Sequence, residues 1–156
     1  ISMKSLPHIL SELEEKLSYS DLINPIISTT SVGWHIDHSL MVINQIIKAV
    51  NLSEPKEYKW TFNSKRLIVF TLNKIPRGKA KAPKAVIPME EFNPDSVREK
   101  FIMARENIEL LKELHPNKFF MHPFFGKLNV KHTFKMIQLH TNHHLHIIDD
   151  IILSVD

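Results

Sequence analysis

The chain has 156 residues, of which 43% are hydrophobic and 24% charged, an ordinary globular composition with enough residues for one buried core. Only three glycines argue against a turn-rich all-β fold, and the absence of cysteine excludes disulfides and thiolate ligands, so any transition-metal site must use imidazole, carboxylate or water. The net charge of +3 is modest, and the absence of a long apolar run or a signal-peptide pattern predicts a soluble, cytoplasmic protein with no membrane partner.

Hydrophobic periodicity predicts the first two helices. Apolar residues spaced by three and four between residues 6 and 17, with Ser5 before them as a cap, predict a short amphipathic helix. A longer helix, capped by one of residues 29 to 31, is predicted to run to about Asn51. Because this second helix is apolar around much of its circumference, we expect it near the centre of a bundle.

A third helix is predicted over residues 61 to 75, although its Val-Phe-Thr stretch would also suit a strand. Pro76 ends this pattern. The proline-rich segment 76 to 93 is predicted to be extended, and because so long a loop is uncommon inside a domain, it is either a lid over a site or a surface wrap.

Five cations and no anion occur in the sequence KIPRGKAKAPK, residues 74 to 84. Three interpretations are open: a solvated loop, a clamp for an anionic substrate, or a contact with nucleic acid. Nucleic-acid binding usually requires a broader basic surface with aromatic or groove-reading elements. We therefore favour the solvated loop and expect no nucleic-acid partner. Residues 77 to 84 and the aromatic segment 119 to 125 are candidates for the rim of a pocket.

The fourth helix has the clearest boundaries. Asn93 is its predicted cap, Pro94 its first residue and Pro116 its stop signal. Its predicted buried face consists of residues spaced by three and four, namely Val97, Phe101, Ala104, Ile108 and Leu111.

A last helix is predicted from about Val130 to Val155, after an aromatic loop at 117 to 129. Four substantial helices, a short extra N-terminal helix and long loops, with no internal repeat, predict an all-α fold. We expect a four-helix bundle that forms a single domain over residues 1 to 156.

Two histidines of the last helix interrupt an apolar stripe. His140 and His144 are four residues apart, so their side chains lie one turn apart on the face that also carries Ile137 and Ile147. Cβ atoms about 6 Å apart allow both rings to reach one metal ion. The other interpretation is a pair of core histidines hydrogen-bonded to neighbouring helices.

Three further histidines have weaker patterns. His143 and His146 lie on a neighbouring face nearer the polar boundary, where we expect them to support the ligands or to face solvent. His122 precedes a proline and is expected in extended backbone, either as a turn contact or at the mouth of a pocket.

A metal site needs a third protein ligand, and the second helix offers one in SVGWHIDHSL, residues 31 to 40. His38 shares an inward-looking face with Trp34 and Met41, so we prefer it to His35, whose ring is expected to support a ligand or to line the pocket. Two histidines from one helix and one from a facing helix is how bundles build interior metal sites. Three nitrogen ligands leave an open position, which is typical of catalytic rather than structural sites.

Two of these segments together resemble the DinB/YfiT-like metalloenzyme superfamily. SVGWHIDHSL resembles its first metal-site helix, and LHTNHHLHII, residues 139 to 148, resembles the H-x-x-H-H sequence on its last helix. The stretch HPFFGKLNVKHTFKMIQLHTNHHLHII is especially similar to a branch of unknown function that pairs an H-P-x-F-G-x-L segment with the histidine helix. The resemblance implies a four-helix bundle that holds a divalent metal, zinc or nickel, on His38, His140 and His144.

The resemblance also implies a class of function. Characterised members of the superfamily include transferases and isomerases that use low-molecular-weight thiols. Many members continue the H-x-x-H-H sequence with an Arg/Gln pair, whereas Leu145, His146 and Ile147 follow here. We therefore expect a metal-dependent enzyme acting on a small molecule, either a thiol-dependent transferase or a hydrolase that uses metal-bound water, without a clear general base.

The alternative is a non-catalytic metal-binding or interaction bundle with no turnover. A small-molecule substrate, and in particular a low-molecular-weight thiol, is the expected partner of the enzyme. Proteins of this architecture often pair through an apolar helix face, so a homodimer is also plausible.

Overall fold

A computed structural model describes residues 3–79, 81–89 and 91–155. It is mostly helical and contains a small antiparallel sheet, so the expectation of a strictly all-α fold is corrected. The helices are α1 (Leu6–Glu15), α2 (Val32–Leu52), α3 (Ser64–Leu72), α4 (Pro94–Glu113) and α5 (Val130–Leu153), and the strands are β1 (Phe119–His122) and β2 (Gly126–Asn129). Within the described residues, no helix combines the length and hydrophobicity needed to cross a membrane.

Each of the five helices begins after a polar residue whose side chain accepts a hydrogen bond from a backbone N–H of the first turn. These caps satisfy amides that have no partner within the helix, and each is worth about 1 kcal/mol. They are Ser5, Ser31, Asn63, Asn93 and Asn129. The sequence predicted the first, second and fourth of these caps, and it predicted the start of the fifth helix at about Val130 without naming its cap.

The central core is built by α1, α2, α4 and α5. All five residues predicted for the buried face of α4 are buried. Helix α1 contributes four buried side chains, whereas α3 is shorter than predicted and buries only the side chain of Arg66. The substantial third helix and the minor first helix of the prediction therefore exchange roles, because α3 presents its apolar side chains Leu67, Ile68 and Leu72 to the surface.

The aromatic segment predicted as a loop forms a β-hairpin. Phe119 pairs with Asn129 and His122 with Gly126, which adopts a left-handed backbone with φ of +72° as the turn requires. Phe125 and Leu128 pack with Met136 of α5 in a small second core. The hairpin was missed because its aromatic residues are consecutive and lack the alternation that marks a half-buried strand.

The long connection between α3 and α4 wraps over the helices. Asn73 ends α3 in a left-handed conformation, and a single 3₁₀ turn, Lys84–Val86, interrupts the extended chain. Val86 is the buried residue of this turn. Val86 therefore anchors the connection beside the histidines of α2 described below.

Replacing Gly33 by alanine is expected to destabilise the protein by about 1–3 kcal/mol. A Cβ atom at Gly33 would lie 2.6 Å from Cδ2 of Phe92 and 3.1 Å from the backbone oxygen of Ser20. Alanine gains about 1 kcal/mol over glycine in a helix, so the steric term decides the sign. Urea unfolding measures the change, and a double-mutant cycle with Phe92→Ala should show strong non-additivity; additive effects would contradict the contact.

Candidate metal centre

The structure brings together three histidines that the sequence placed on two helices. His38 of α2 and His140 and His144 of α5 each offer a ring nitrogen, and these nitrogens lie within 4.8 Å of one another. His38 and His144 are buried, while His140 keeps part of its surface accessible. The ring centroids are 4.6 to 5.2 Å apart. This triad could hold a metal ion, since imidazole nitrogen is a common ligand of divalent transition metals.

The tautomer of neutral His38 is fixed by the loop between α3 and α4. His38 Nδ1 lies 2.6 Å from the backbone oxygen of Val86, and because a carbonyl can only accept, Nδ1 must carry the proton. The lone pair of the neutral ring is then on Nε2. The anchored turn of the loop therefore leaves Nε2 of His38 as the nitrogen available to a ligand or metal.

His144 is held by a chain of polar groups outside the triad. Its Nδ1 lies 2.9 Å from Nδ1 of His35, one turn before His38 on α2. Nε2 of His35 lies 2.9 Å from the hydroxyl of Ser28 and 3.1 Å from that of Thr30. When the proton between the two rings is on Nδ1 of His144, Nδ1 of His35 accepts this hydrogen bond and Nε2–H of His35 donates to the hydroxyls, so Nε2 of His144 carries the free lone pair.

His140 differs from its two partners. Its Nδ1 is buried and has no hydrogen-bond partner among the described residues. A buried nitrogen without a partner is uncommon in folded proteins and calls for an explanation such as an ion or water. A metal ion held by the triad would be one such explanation.

A family model described as a protein of unknown function, DUF1569, matches residues 34–150. The chain belongs to the DUF1569 family. This match spans α2 to α5 and includes all three histidines of the triad. No curated protein and no solved structure matches the chain.

Burial keeps the three triad histidines of this DUF1569 chain neutral. Desolvation lowers the pKa of His140 and of His144 well below the ordinary value of 6.5, and neighbouring histidines add to the effect. Desolvation also lowers the pKa of His38, although the Val86 carbonyl and Asp37 act in the opposite direction. At neutral pH the triad therefore presents lone pairs rather than positive charges.

Trp34 covers one side of the triad. Its indole stacks on the ring of His38 at 4.8 Å between centroids and stands edge-on to His35 at 5.2 Å. Asp37, next to His38 in the chain, turns away from the triad and forms a 2.6 Å ion pair with Lys100 of α4. The aromatic ring shields the site from water, and the paired carboxylate is not a free base beside it.

Two clefts adjoin this site without reaching it. Their volumes are about 210 and 200 Å³, and both contain Asp37, Pro88 and Glu91. Trp34 lines the first cleft, but no triad histidine lines either one. The loop that anchors His38 through Val86 also lines both clefts, through Pro88 and Glu91.

The remaining candidate histidines have other surroundings. His143 packs its ring 5.3 Å from that of His144, and burial, reinforced by Arg77, lowers its pKa to about 4. His122 accepts backbone hydrogen bonds from Phe124 and Phe125 at Nδ1, which is the turn contact foreseen as one of its two roles. His146 is exposed.

Two elements of the site were not predicted from the sequence. The first is the pair of hydroxyls of Ser28 and Thr30, which lie in the run STTS before α2 and contact His35. The only sequence signal for this contact is that His35 follows the run by one to two helical turns. The backbone oxygen of Val86 left no signal, because any residue at that position supplies the same carbonyl.

Proposed function

We propose that His38, His140 and His144 hold a divalent transition metal and that this protein uses it in a metal-dependent reaction on a small molecule. One observation carries the proposal: three neutral imidazoles from two helices converge to within 4.8 Å. Metal–nitrogen bonds of about 2.0–2.1 Å in a tetrahedral site place ligand nitrogens about 3.4 Å apart. Small rotations of the rings are enough to close the observed triad onto an ion.

The chain's own residues prepare the donor set. Val86 holds the proton of His38 on Nδ1, and His35 is placed to hold that of His144 on Nδ1, which leaves the lone pair of both rings on Nε2. Such outer contacts fix ring orientation and raise ligand basicity. Trp34 limits the access of water. Three protein donors leave a coordination position open, as in catalytic rather than structural sites.

A divalent ion supplies Lewis acidity, which generates a nucleophile from water or a thiol at neutral pH. Imidazole donors suit zinc, copper, iron and nickel, and we propose zinc or nickel, the two metals that the resemblance to the DinB/YfiT-like superfamily implies. The packing of α1, α2, α4 and α5 around one core supports a DinB/YfiT-like bundle formed by a single domain, with a low-molecular-weight thiol or water as the co-substrate.

A second candidate function is metal binding without turnover. It is favoured by the position of the clefts, neither of which is lined by a triad histidine. An electrophilic substrate assayed with and without a low-molecular-weight thiol separates the two: metal-dependent turnover supports the enzyme, and tight metal binding with no product supports the binding protein.

Elemental analysis of protein purified without a histidine tag tests the metal itself. We expect about one zinc or nickel ion per chain, removable by a chelator and restored by the free ion. Protein that stays metal-free after dialysis against both ions would refute the proposed site.

Replacing His35 by alanine is expected to weaken zinc affinity by about 10–100-fold while leaving one ion per chain at saturation. The variant loses the group that orients His144 but keeps all three proposed ligands. Competition with a chromophoric chelator measures the affinity. Ser11→Ala is a matched control, because its hydroxyl bonds only within α1. Unchanged affinity in His35→Ala would remove His35 from the site.

A further inference from the structure

Two long segments of the chain contain no carboxylate side chain. Residues 58–89 carry eight lysines and arginines, and residues 114–148 carry four more. Twelve of the 20 cationic side chains and none of the 17 acidic ones therefore lie in these segments. The modest net charge of +3 conceals this separation, because the carboxylates are concentrated in the rest of the chain.

The fold places parts of these two segments side by side. Asn63 donates to the backbone oxygen of Phe124 at 3.0 Å, and Arg66 donates to that of Phe125 at 3.2 Å. The ring of Phe70 stands edge-on to Phe125 at 5.7 Å. The hairpin thus packs on α3 and on the chain before it, so the separation of charge along the sequence becomes a separation on the molecule.

Large apolar side chains are exposed in the same region. Trp60 is 62% exposed, Phe62 69% and Leu72 68%. The ammonium group of Lys65 lies 5.6 Å from the centre of the Phe124 ring, at the tip of the hairpin. We name this region the α3–hairpin surface and define it by Trp60, Phe62, Lys65, Leu67, Leu72 and Phe124.

Most cations of the two segments form no ion pair with a described carboxylate. Of the twelve, only Arg77 forms an ion pair with a described carboxylate, that of Asp150 at 2.7 Å. Lys127 donates to the backbone oxygen of Glu57, and Lys118 to that of Ser53. Lys59, Lys65, Lys74 and Lys131 are exposed. The surface therefore combines positive potential with protruding aromatic and aliphatic side chains.

We propose that the α3–hairpin surface binds the headgroup layer of an anionic lipid bilayer. Tryptophan, phenylalanine and leucine enter the boundary between headgroups and acyl chains, while neighbouring lysines contact anionic headgroups. A second copy is disfavoured, because a two-fold dimer through this surface would place lysines against lysines. Nucleic acid is disfavoured as well, because it would leave the apolar side chains of the exposed leucines in water. The expectation of no membrane partner rested on the absence of a spanning segment, which surface binding does not require.

Vesicle co-sedimentation tests this surface. We expect the protein to pellet with vesicles of phosphatidylcholine mixed with phosphatidylglycerol, to stay in solution with phosphatidylcholine alone, and to be released by added salt. Trp60 should report the contact by a blue shift of its emission that Trp60→Phe abolishes. Trp60→Ser with Phe62→Ser, and Lys59→Gln with Lys65→Gln, should each lower the partition coefficient by about tenfold or more.

Ile102→Ser with Met103→Ser is the matched control, because both side chains are exposed on α4, which lies outside the two segments. It should bind as the wild type does. The proposal is overturned if anionic vesicles do not bind the protein, if the control loses binding as much as the surface variants do, or if light scattering shows a dimer that Trp60→Ser with Phe62→Ser dissociates. Circular dichroism confirms that each variant is folded.

Discussion

Replacing His140 and His144 together by alanine is expected to abolish stoichiometric zinc binding, lowering affinity by at least about a thousandfold. Removing a residue that only contacts a metal ligand typically lowers metal affinity by about 10–100-fold. The loss should be larger here, because two of the three proposed ligands themselves are removed. Isothermal titration of chelator-treated protein measures the loss. Metal that remains bound at one ion per chain in this variant would show that the triad is not the site.

His140→Ala alone is the sharper variant, because it separates binding from folding. Nδ1 of His140 is buried and has no hydrogen-bond partner among the described residues. Alanine therefore removes an unsatisfied polar atom and breaks no hydrogen bond of that atom within the described part of the chain. His144→Ala, by contrast, would leave Nδ1 of His35 without its partner. A folded His140→Ala that binds no zinc supports the site directly. His146→Ala is the matched control on α5, because this side chain is exposed.

Zinc binding should also raise the free energy of unfolding. Zinc at about 1,000 times its dissociation constant adds about 4 kcal/mol to the free energy of unfolding, which raises the melting temperature of a domain of this size by about 8–16 °C. The wild type should show this shift and His140→Ala should not. An equal shift in both would mean that the ion binds elsewhere.

The helices could be predicted from the sequence because their starts and buried faces depend on residues close together in the chain. The buried face of α4 follows directly from its three-four spacing, and Asn93 with Pro94 defines its start. The pairing of His140 with His144 follows from the same geometry within one helix. His38 was harder, since only its inward face and the resemblance to a known helix connected it to residues a hundred positions later.

What the sequence did not show depends on contacts distant along the chain. The exchange of roles between α1 and α3 is one example, because both have amphipathic patterns and only packing decides which pattern is buried. The backbone contact of Val86 with His38 is another, since it depends on where a 21-residue connection crosses the bundle between Leu72 and Pro94. Neither is encoded in residue type at the position concerned.

The metal-free protein is expected to lose stability steeply as the pH falls from 6.5 toward 5. Burial lowers the pKa of His35, His122 and His143 to about 4 in the folded state, whereas an unfolded histidine titrates near 6.5. Within this window the unfolded chain binds protons that the folded chain cannot, so the free energy of unfolding is full above pH 6.5 and decreases as the pH falls toward the folded values.

The size of this loss sets it apart from ordinary acid denaturation. A histidine whose pKa is 6.5 in the unfolded chain and about 4 in the folded protein lowers the free energy of unfolding by up to about 3 kcal/mol once the pH is well below 4. About half of this loss has occurred by pH 5. For His35, His122 and His143 together the total loss by pH 5 should be at least about 3 kcal/mol even after a generous discount for solvent screening, and the lowered pKa values of His140 and His144 act in the same direction. Ordinary carboxylates are still ionised in this range and contribute little.

Urea unfolding in the presence of a chelator, at several pH values between 7 and 5, measures the dependence. His122→Asn provides a variant that keeps an acceptor for the two backbone amides of the turn but removes one titrating group, so its curve should be flatter. His146→Gln is the matched control on α5, because this side chain is exposed, and its curve should match that of the wild type. A free energy of unfolding that stays constant from pH 7 to 5 would mean that these histidines remain open to protons in the folded protein, and a triad open to protons would not be the dry, neutral donor set that the proposed metal requires.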